Sequence, residues 1–150
     1  LERTLIIVKP DALQRGLTGE IIKRFEQRGL RLIGLKLLQV SRDLAEKHYA
    51  VHRERPFFKD LVAYITSAPV VVMALEGSSA VMAARATIGA TSPAQAAAGT
   101  IRGDYGLEIG RNLVHGSDSP KNGHIEVANF FTAAELLSGW ERNTDAWIFE

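Results

Sequence analysis

Val70-Val71-Val72-Met73-Ala74-Leu75 contains no polar side chain. The run is shorter than an ordinary helix, and β-branched residues fit a pleated, packed surface, so it reads as a buried strand. Thr4-Leu5-Ile6-Ile7-Val8 has the same character and stops at Lys9-Pro10-Asp11. Strands of this kind need helices to cover them. A chain of 150 residues with 46% hydrophobic content can supply one core. One domain over residues 1–150 is expected, with no repeat, linker or low-complexity tract.

The helices are legible from their ends. Thr18 and Gly19 start one in which Leu17, Ile21 and Phe25 share a face, and Gly29 stands at its C-terminal cap. Leu30 to Val40 returns as a strand. Ser41 caps a short helix reaching His48, and Pro56 opens another with Phe58, Leu61, Val62 and Ile65 on one face. Ser78 and Ser79 start a helix to Ile88, closed by Gly89. Ala90 to Arg111, with Pro93 and several glycines, reads as a long loop, and such a loop in a compact domain is usually functional. Leu113-Val114-His115 forms a short last strand, and a helix covers about Asn122 to Phe130. Thr132-Ala133-Ala134-Glu135 is a capping box for a final helix, and Trp147-Ile148-Phe149 is apolar enough to dock on the core or on a neighbouring subunit. This order predicts an α+β ferredoxin-like sandwich. It has one four-stranded antiparallel sheet with helices on one face, a β-α-β-β-α-β core, a long loop and a C-terminal extension.

Composition excludes several chemistries. A net charge of +1 is too balanced for a dedicated nucleic-acid binder, so nucleic acid is not indicated. The absence of cysteine rules out thiolate catalysis, disulfides and cysteine-held zinc. No H-E-x-x-H motif suggests a protein-held zinc, and His48, His52 and His124 are expected at the surface or at helix boundaries. No apolar run reaches membrane-span length and no secretory signal is visible. The expected location is the cytoplasm, or an organelle if a transit peptide was removed before Leu1.

Asn112-Leu113-Val114-His115-Gly116-Ser117-Asp118-Ser119 places one imidazole among small polar residues. Gly116 leaves room beside the ring, and Asn112, Ser117 and Asp118 supply hydrogen-bonding groups. This suits a nucleophile or general base, although most histidines in such settings are surface-loop residues. Lys9, Arg85 and Arg102, with Thr91 and Asn112, form a set that suits a polyphosphate. Each has a plainer reading. Lys9 can solvate a strand edge, Arg85 can favour a helix C-terminus, and Thr91 can cap a turn. Neither a Walker loop nor a G-x-G-x-x-G turn is present, so any nucleotide is held by another architecture. Tyr49 and Phe57 flank the segment His52 to Pro56. Phe57 packs in the core or offers a face on which a base can stack. A Glu126 carboxylate that reached His115 would orient it and raise its basicity.

The motif Asn112-x-x-His115-Gly116-Ser117-Asp118 is highly specific, and other stretches agree in order. They include Lys9-Pro10-Asp11, Gln14-Arg15-Gly16-Leu17, Arg55-Pro56-Phe57-Phe58, Gly89-Ala90-Thr91 and Gly99-Thr100-Ile101-Arg102-Gly103-Asp104. Over essentially its whole length the chain resembles nucleoside diphosphate kinases. The resemblance implies a ping-pong reaction in which His115 takes the γ-phosphoryl group of a nucleoside triphosphate and a nucleoside diphosphate removes it. Lys9, Arg85, Thr91, Arg102 and Asn112 would contact phosphates or ribose. Phe57 would stack on the base with Leu61 beside it, and Tyr49 and Glu126 would position His115. Magnesium (Mg2+) would arrive on the nucleotide, with Asp118 reaching it through water. The resemblance also implies a homo-oligomer, favouring a hexamer. The alternative is a non-catalytic nucleotide-binding or regulatory module on the same scaffold. Ala12 stands where glycine is usual in the family, at a turn that alanine would resist if φ were positive.

Overall fold

The computed structural model describes residues 1–150. The chain runs through β1 (Glu2–Val8), α1 (Pro10–Gln14), α2 (Thr18–Arg28), β2 (Arg31–Leu38), α3 (Arg42–His48) and α4 (Phe58–Ile65). It continues through β3 (Val70–Gly77), α5 (Ala80–Ile88), α6 (Ile101–Tyr105), β4 (Val114–Gly116) and α7 (Pro120–Phe130). The strands form one antiparallel sheet in the order β2-β3-β1-β4. The two apolar runs pair at its centre, from Glu2↔Gly77 to Val8↔Val71. β4 pairs with the outer side of β1 and sets His115 opposite Ile7.

Helices cover both faces of this sheet, which corrects the expectation of helices on one face. Strands without polar alternation present two apolar faces, and each must leave water. Ile6, Val8, Met73 and Leu75 pack against Ile21 and Phe25 of α2 and Ala84 and Ile88 of α5. Leu5, Ile7, Val72 and Ala74 pack against Ala45 of α3, Val62 and Ile65 of α4, and Val127 and Phe130 of α7. Burying one such large aliphatic or aromatic side chain is worth about 1.5–3 kcal/mol.

Local signals mostly hold. Gly29 ends α2 at φ +101, and the Ser41 hydroxyl accepts from the Leu44 N–H at the start of α3. Ala12 lies buried inside α1, so the turn after Lys9 makes no demand for a positive φ there. Two regions differ from expectation. Ala90 to Arg111 is not a structureless loop: it contains 3-10 turns at Pro93–Gln95 and Ile109–Arg111 as well as α6. The Thr132 capping box forms but starts only a 3-10 turn, Ala133–Glu135. The chain then leaves helical geometry, and the Leu137 N–H donates to the Ile33 carbonyl at 2.8 Å. In the tail, Phe149 lies beneath the Arg31 and Arg142 guanidiniums, whereas Trp147 is 89% exposed.

Candidate active site

His115 is the middle residue of β4. Its pairing with Ile7 turns the ring to the sheet face covered by α3 and α7. There its Nε2 lies 2.9 Å from Glu126 Oε1. The same oxygen accepts from the Ser117 hydroxyl at 2.6 Å, and that hydroxyl accepts from the Leu5 N–H at 3.0 Å. Burial pushes the Glu126 carboxyl up. The hydrogen bonds and charge of His115, and the Ser117 hydroxyl, outweigh burial and hold it below its ordinary value. An ionised carboxylate only accepts, so Nε2 carries a proton, and in the neutral ring Nδ1 then keeps its lone pair.

The expectation that His48 lies at the surface or a helix boundary is only partly met. It ends α3, but its ring stands edge-on to His115 at 4.7 Å between centroids, and it also meets Phe130 at 5.4 Å. Its Nδ1 is buried without a hydrogen-bond partner. Burial, followed by the proximity of His115, lowers its pKa to about 3, so it is neutral. Tyr49 makes its ring contact with His48, at 4.7 Å, and makes no hydrogen bond to His115. Burial and then the Glu126 charge raise the Tyr49 phenol to about 12. His48, His115 and Glu126 have ligand atoms within 4.8 Å of one another, a spacing that a divalent ion could use.

The cations converge from other elements. Lys9 follows β1, and its Nζ donates to Asn112 Oδ1 at 2.8 Å. Burial, then the Arg102 charge, lowers Lys9 to about 8. Arg102, on α6, is 8% exposed and donates to the carbonyls of Asn112, Gly89 and Val114 at 3.1, 3.2 and 2.7 Å. Burial and then Arg85 lower it to about 10. Arg85, late in α5, reaches the Gly116 carbonyl at 3.4 Å. Asn112 is a strut: its Oδ1 holds Lys9, and its Nδ2 donates to the Thr91 carbonyl at 3.1 Å.

Lys9, Arg85, Thr91, Arg102, His115, Gly116, Asp118 and Glu126 line a cavity of about 290 Å³, together with Tyr49 and His48. A second cavity of about 400 Å³ shares Arg85, Thr91, Arg102 and Gly116 and extends the cleft along Gly89 and Ala90. Asn112 lines neither, because its side chain is spent on Lys9 and Thr91. Phe57 is 46% exposed and tilts 5.3 Å from the ring of His52, which lines the first cavity. Leu61 lies on the next turn, half-buried. Asp118 is held through Oδ1 by Asn122 Nδ2 at 2.6 Å.

The chain as a whole has counterparts among known proteins. The family model for nucleoside diphosphate kinase matches residues 2–136. The nucleoside diphosphate kinases of Roseiflexus castenholzii and Herpetosiphon aurantiacus are 58% and 59% identical over 150 residues, each covering 100% of this chain. The chain in turn spans 100% of the Roseiflexus protein. The chain belongs to the nucleoside diphosphate kinase family. The fold agrees with solved members. A family protein from Babesia bovis superposes with a TM-score of 0.96 at 47% identity, covering 99% of this chain and 100% of its own. The Halobacterium salinarum nucleoside diphosphate kinase, solved in complex with CDP, gives 0.95 at 47% identity over 99% of both chains. A nucleoside diphosphate kinase is a phosphotransferase. It moves the γ-phosphoryl group of a nucleoside triphosphate to a nucleoside diphosphate.

Three features of this kinase site went unread in the sequence. His48 sits among charged neighbours, and its link to His115 exists only through the packing of α3 beside α7. Gly116 serves packing as well as access: a Cβ there would lie 2.7 Å from Ile88 Cδ1. Leu113 is fully buried yet adopts φ +76, and the Val114 N–H donates back to the Asn112 carbonyl at 2.9 Å. That is a γ-turn centred on a leucine, a conformation costing about 1–3 kcal/mol. No residue type at position 113 signals it, since leucine is a poor choice for positive φ.

Proposed function

We propose that the chain runs its kinase reaction by a ping-pong route through a phosphohistidine at Nδ1 of His115. The observation that carries this is the 2.9 Å contact between His115 Nε2 and Glu126 Oε1. It commits the Nε2 proton to the carboxylate and leaves the Nδ1 lone pair for phosphorus. Nδ1 attacks the γ-phosphorus, the bond to the bridging oxygen breaks, and its electron pair leaves with the nucleoside diphosphate. The Nε2 proton stays in place, so no separate base is needed. Glu126 balances the positive charge that develops on the ring. A second nucleoside diphosphate then reverses the step.

Transfer of this kind depends on positioning and charge neutralisation. Lys9, Arg85 and Arg102 line the cleft beside His115 and supply the neutralisation. Thr91 adds a hydroxyl at the same wall, and Asn112 serves the ligand by fixing Lys9. Tyr49 supports His115 through His48. Phe57, beside the cavity-lining His52, and Leu61 on the next turn would offer the base an apolar face, which reads no hydrogen-bonding edge. The Halobacterium relative's complex with CDP, a pyrimidine nucleotide, supports broad base use. The donor set fits magnesium carried by the nucleotide. Besides Glu126, which is committed to His115 and Ser117, the cleft offers only the Asp118 carboxylate, engaged only through Oδ1, which suits a hydrated ion and not a protein cage. When bound, that ion would neutralise phosphate charge.

A homo-oligomer, most simply the hexamer, is supported by exposed apolar groups. β2 is an edge strand whose Leu35 and Leu37 are 49% and 68% exposed, and Trp147 projects from the tail. Light scattering at low concentration tests this, and a monomer mass would reject it.

Radiolabelled ATP should mark the protein with acid-labile, alkali-stable phosphate that added nucleoside diphosphate removes. His115→Ala should abolish the label in folded protein. Nucleotide binding without label in the unaltered chain would favour the non-catalytic module instead.

A further inference from the structure

Asp11 belongs to the Lys9-Pro10-Asp11 stretch, yet it lines neither cavity of the cleft. Its carboxylate faces the γ-turn that precedes His115. Oδ2 accepts from the Leu113 N–H at 3.0 Å. Oδ1 accepts from the Tyr64 hydroxyl, and that hydroxyl accepts in return from the Asp11 N–H at 3.1 Å. Tyr64 is itself held, with the Arg111 guanidinium 4.2 Å above its ring. On the other side of Leu113, the carbonyl accepts from the Lys9 N–H at 2.9 Å. Both backbone polar groups of one strained, buried leucine are therefore tied to the segment Lys9 to Asp11.

Strain of this kind persists only where the surroundings over-determine it. Without the carboxylate, Leu113 would relax towards negative φ. That movement would turn the peptide on its C-terminal side and slide β4 against β1. Asn112, which holds Lys9, precedes Leu113, and His115 lies two residues after Leu113. A single change of backbone angle would thus misplace the nucleophile relative to the phosphate-binding lysine.

We propose that Asp11, oriented by Tyr64, is a positioning residue for phosphoryl transfer: it locks the Leu113 γ-turn and so fixes the aim of His115. The proposal rests on His115 being the phosphoryl acceptor, and the controls separate the two ideas. Phosphoenzyme formation from ATP is measured by rapid quench in Asp11→Ala, Asp11→Asn, Tyr64→Phe and His115→Ala, and nucleoside diphosphate affinity is measured alongside by calorimetry. Asp11→Ala should slow labelling by about 30-fold to 100-fold, the scale of an ångström-sized misplacement, with nucleotide affinity changed less than about 3-fold. Asp11→Asn keeps an oxygen for the Leu113 N–H and should recover most of the rate. Tyr64→Phe should lose about 3-fold to 10-fold, an intermediate loosening. Should Asp11→Ala fail to fold, Tyr64→Phe and Asp11→Asn decide. An unchanged rate in Asp11→Ala or in Tyr64→Phe overturns the proposal. So does an Asp11→Asn variant no better than alanine, or a loss confined to affinity. Labelling that survives in His115→Ala would instead overturn the reading of His115.

Discussion

Glu126 and His115 share a hydrogen bond of 2.9 Å across the gap between α7 and β4. The carboxylate lies on the side of the ring away from the nitrogen that would meet phosphorus. It therefore acts on tautomer and angle, and does not take the reacting proton. Glu126→Gln can still accept from Nε2 through its amide oxygen, but it loses the charge that steadies the phosphorylated ring. Glu126→Ala loses both. The expected ranking of labelling rates is wild type, then glutamine, then alanine, with alanine down by about 100-fold. Rapid-quench labelling with ATP tests this: a glutamine variant as fast as wild type would show that the charge has no role, and equal rates for glutamine and alanine would show that the hydrogen bond has none.

The Lys9 ammonium titrates near pH 8 because burial and then Arg102 disfavour its charge. A polyphosphate seated beside it would restore that charge and raise the pKa again. Nucleotide binding should then take up protons, with uptake small at pH 7 and growing through pH 8 and above. Phosphate second ionisations, near pH 6, are complete there and do not confuse the measurement. Calorimetry in two buffers of different ionisation enthalpy reads the uptake directly. Lys9→Arg keeps the charge fixed and should abolish it, so uptake that persists in that variant would assign the proton elsewhere.

Lys9 and His115 were both visible in the sequence. Lys9 stands at the end of an apolar run beside a proline, and His115 lies among small residues. Both positions stand out from their neighbours. The strands were visible because β1 and β3 are nearly uniform in polarity, and that uniformity also implied the second helical layer that was not inferred. Asn112 was visible as polar, but its partners, Lys9 Nζ and the Thr91 carbonyl, depend on a turn that no residue type announces. Thr132 kept its capping signal and still started only one turn, because the backbone after Glu135 is drawn to Ile33 on β2. Local signals set where elements begin, whereas tertiary packing set how far this one ran and which side chains met.

His48 gives the fold a dependence on acid. Its folded pKa of about 3 lies below its unfolded value of 6.5. Above pH 6.5 neither state binds the proton, and stability is full. Below it the unfolded chain binds a proton that the folded chain refuses, so stability falls as pH drops towards 3. The limiting slope for one proton is about 1.4 kcal/mol per pH unit. Glu126, lowered in the fold, adds a loss of the same sign in its own more acidic range. Urea unfolding of wild type and His48→Asn between pH 6.5 and 4.5 isolates the histidine. The wild type should lose stability faster as pH falls, and parallel profiles would mean that His48 is not kept neutral.

Gly123 and Gly116 support the same site through different constraints. A Cβ at Gly123 would lie 2.1 Å from the Arg3 carbonyl oxygen, on the backbone of β1. Backbone in a central strand cannot yield, so Gly123→Ala must lift α7 from the sheet. Glu126 sits three residues later on that helix and would leave His115 with it. The expected cost is about 3 kcal/mol, the upper range for overpacking, together with slowed labelling. At Gly116 the added methyl would meet only the tip of Ile88, at 2.7 Å from Cδ1. Gly116→Ala should cost about 1 kcal/mol, and Ile88→Val, which removes the colliding atom, should relieve it. Thermal unfolding of the single and double variants separates the two cases. Mild behaviour of Gly123→Ala would show that α7 can shift freely on β1, and failure of Ile88→Val to relieve Gly116→Ala would place that strain in the strand itself.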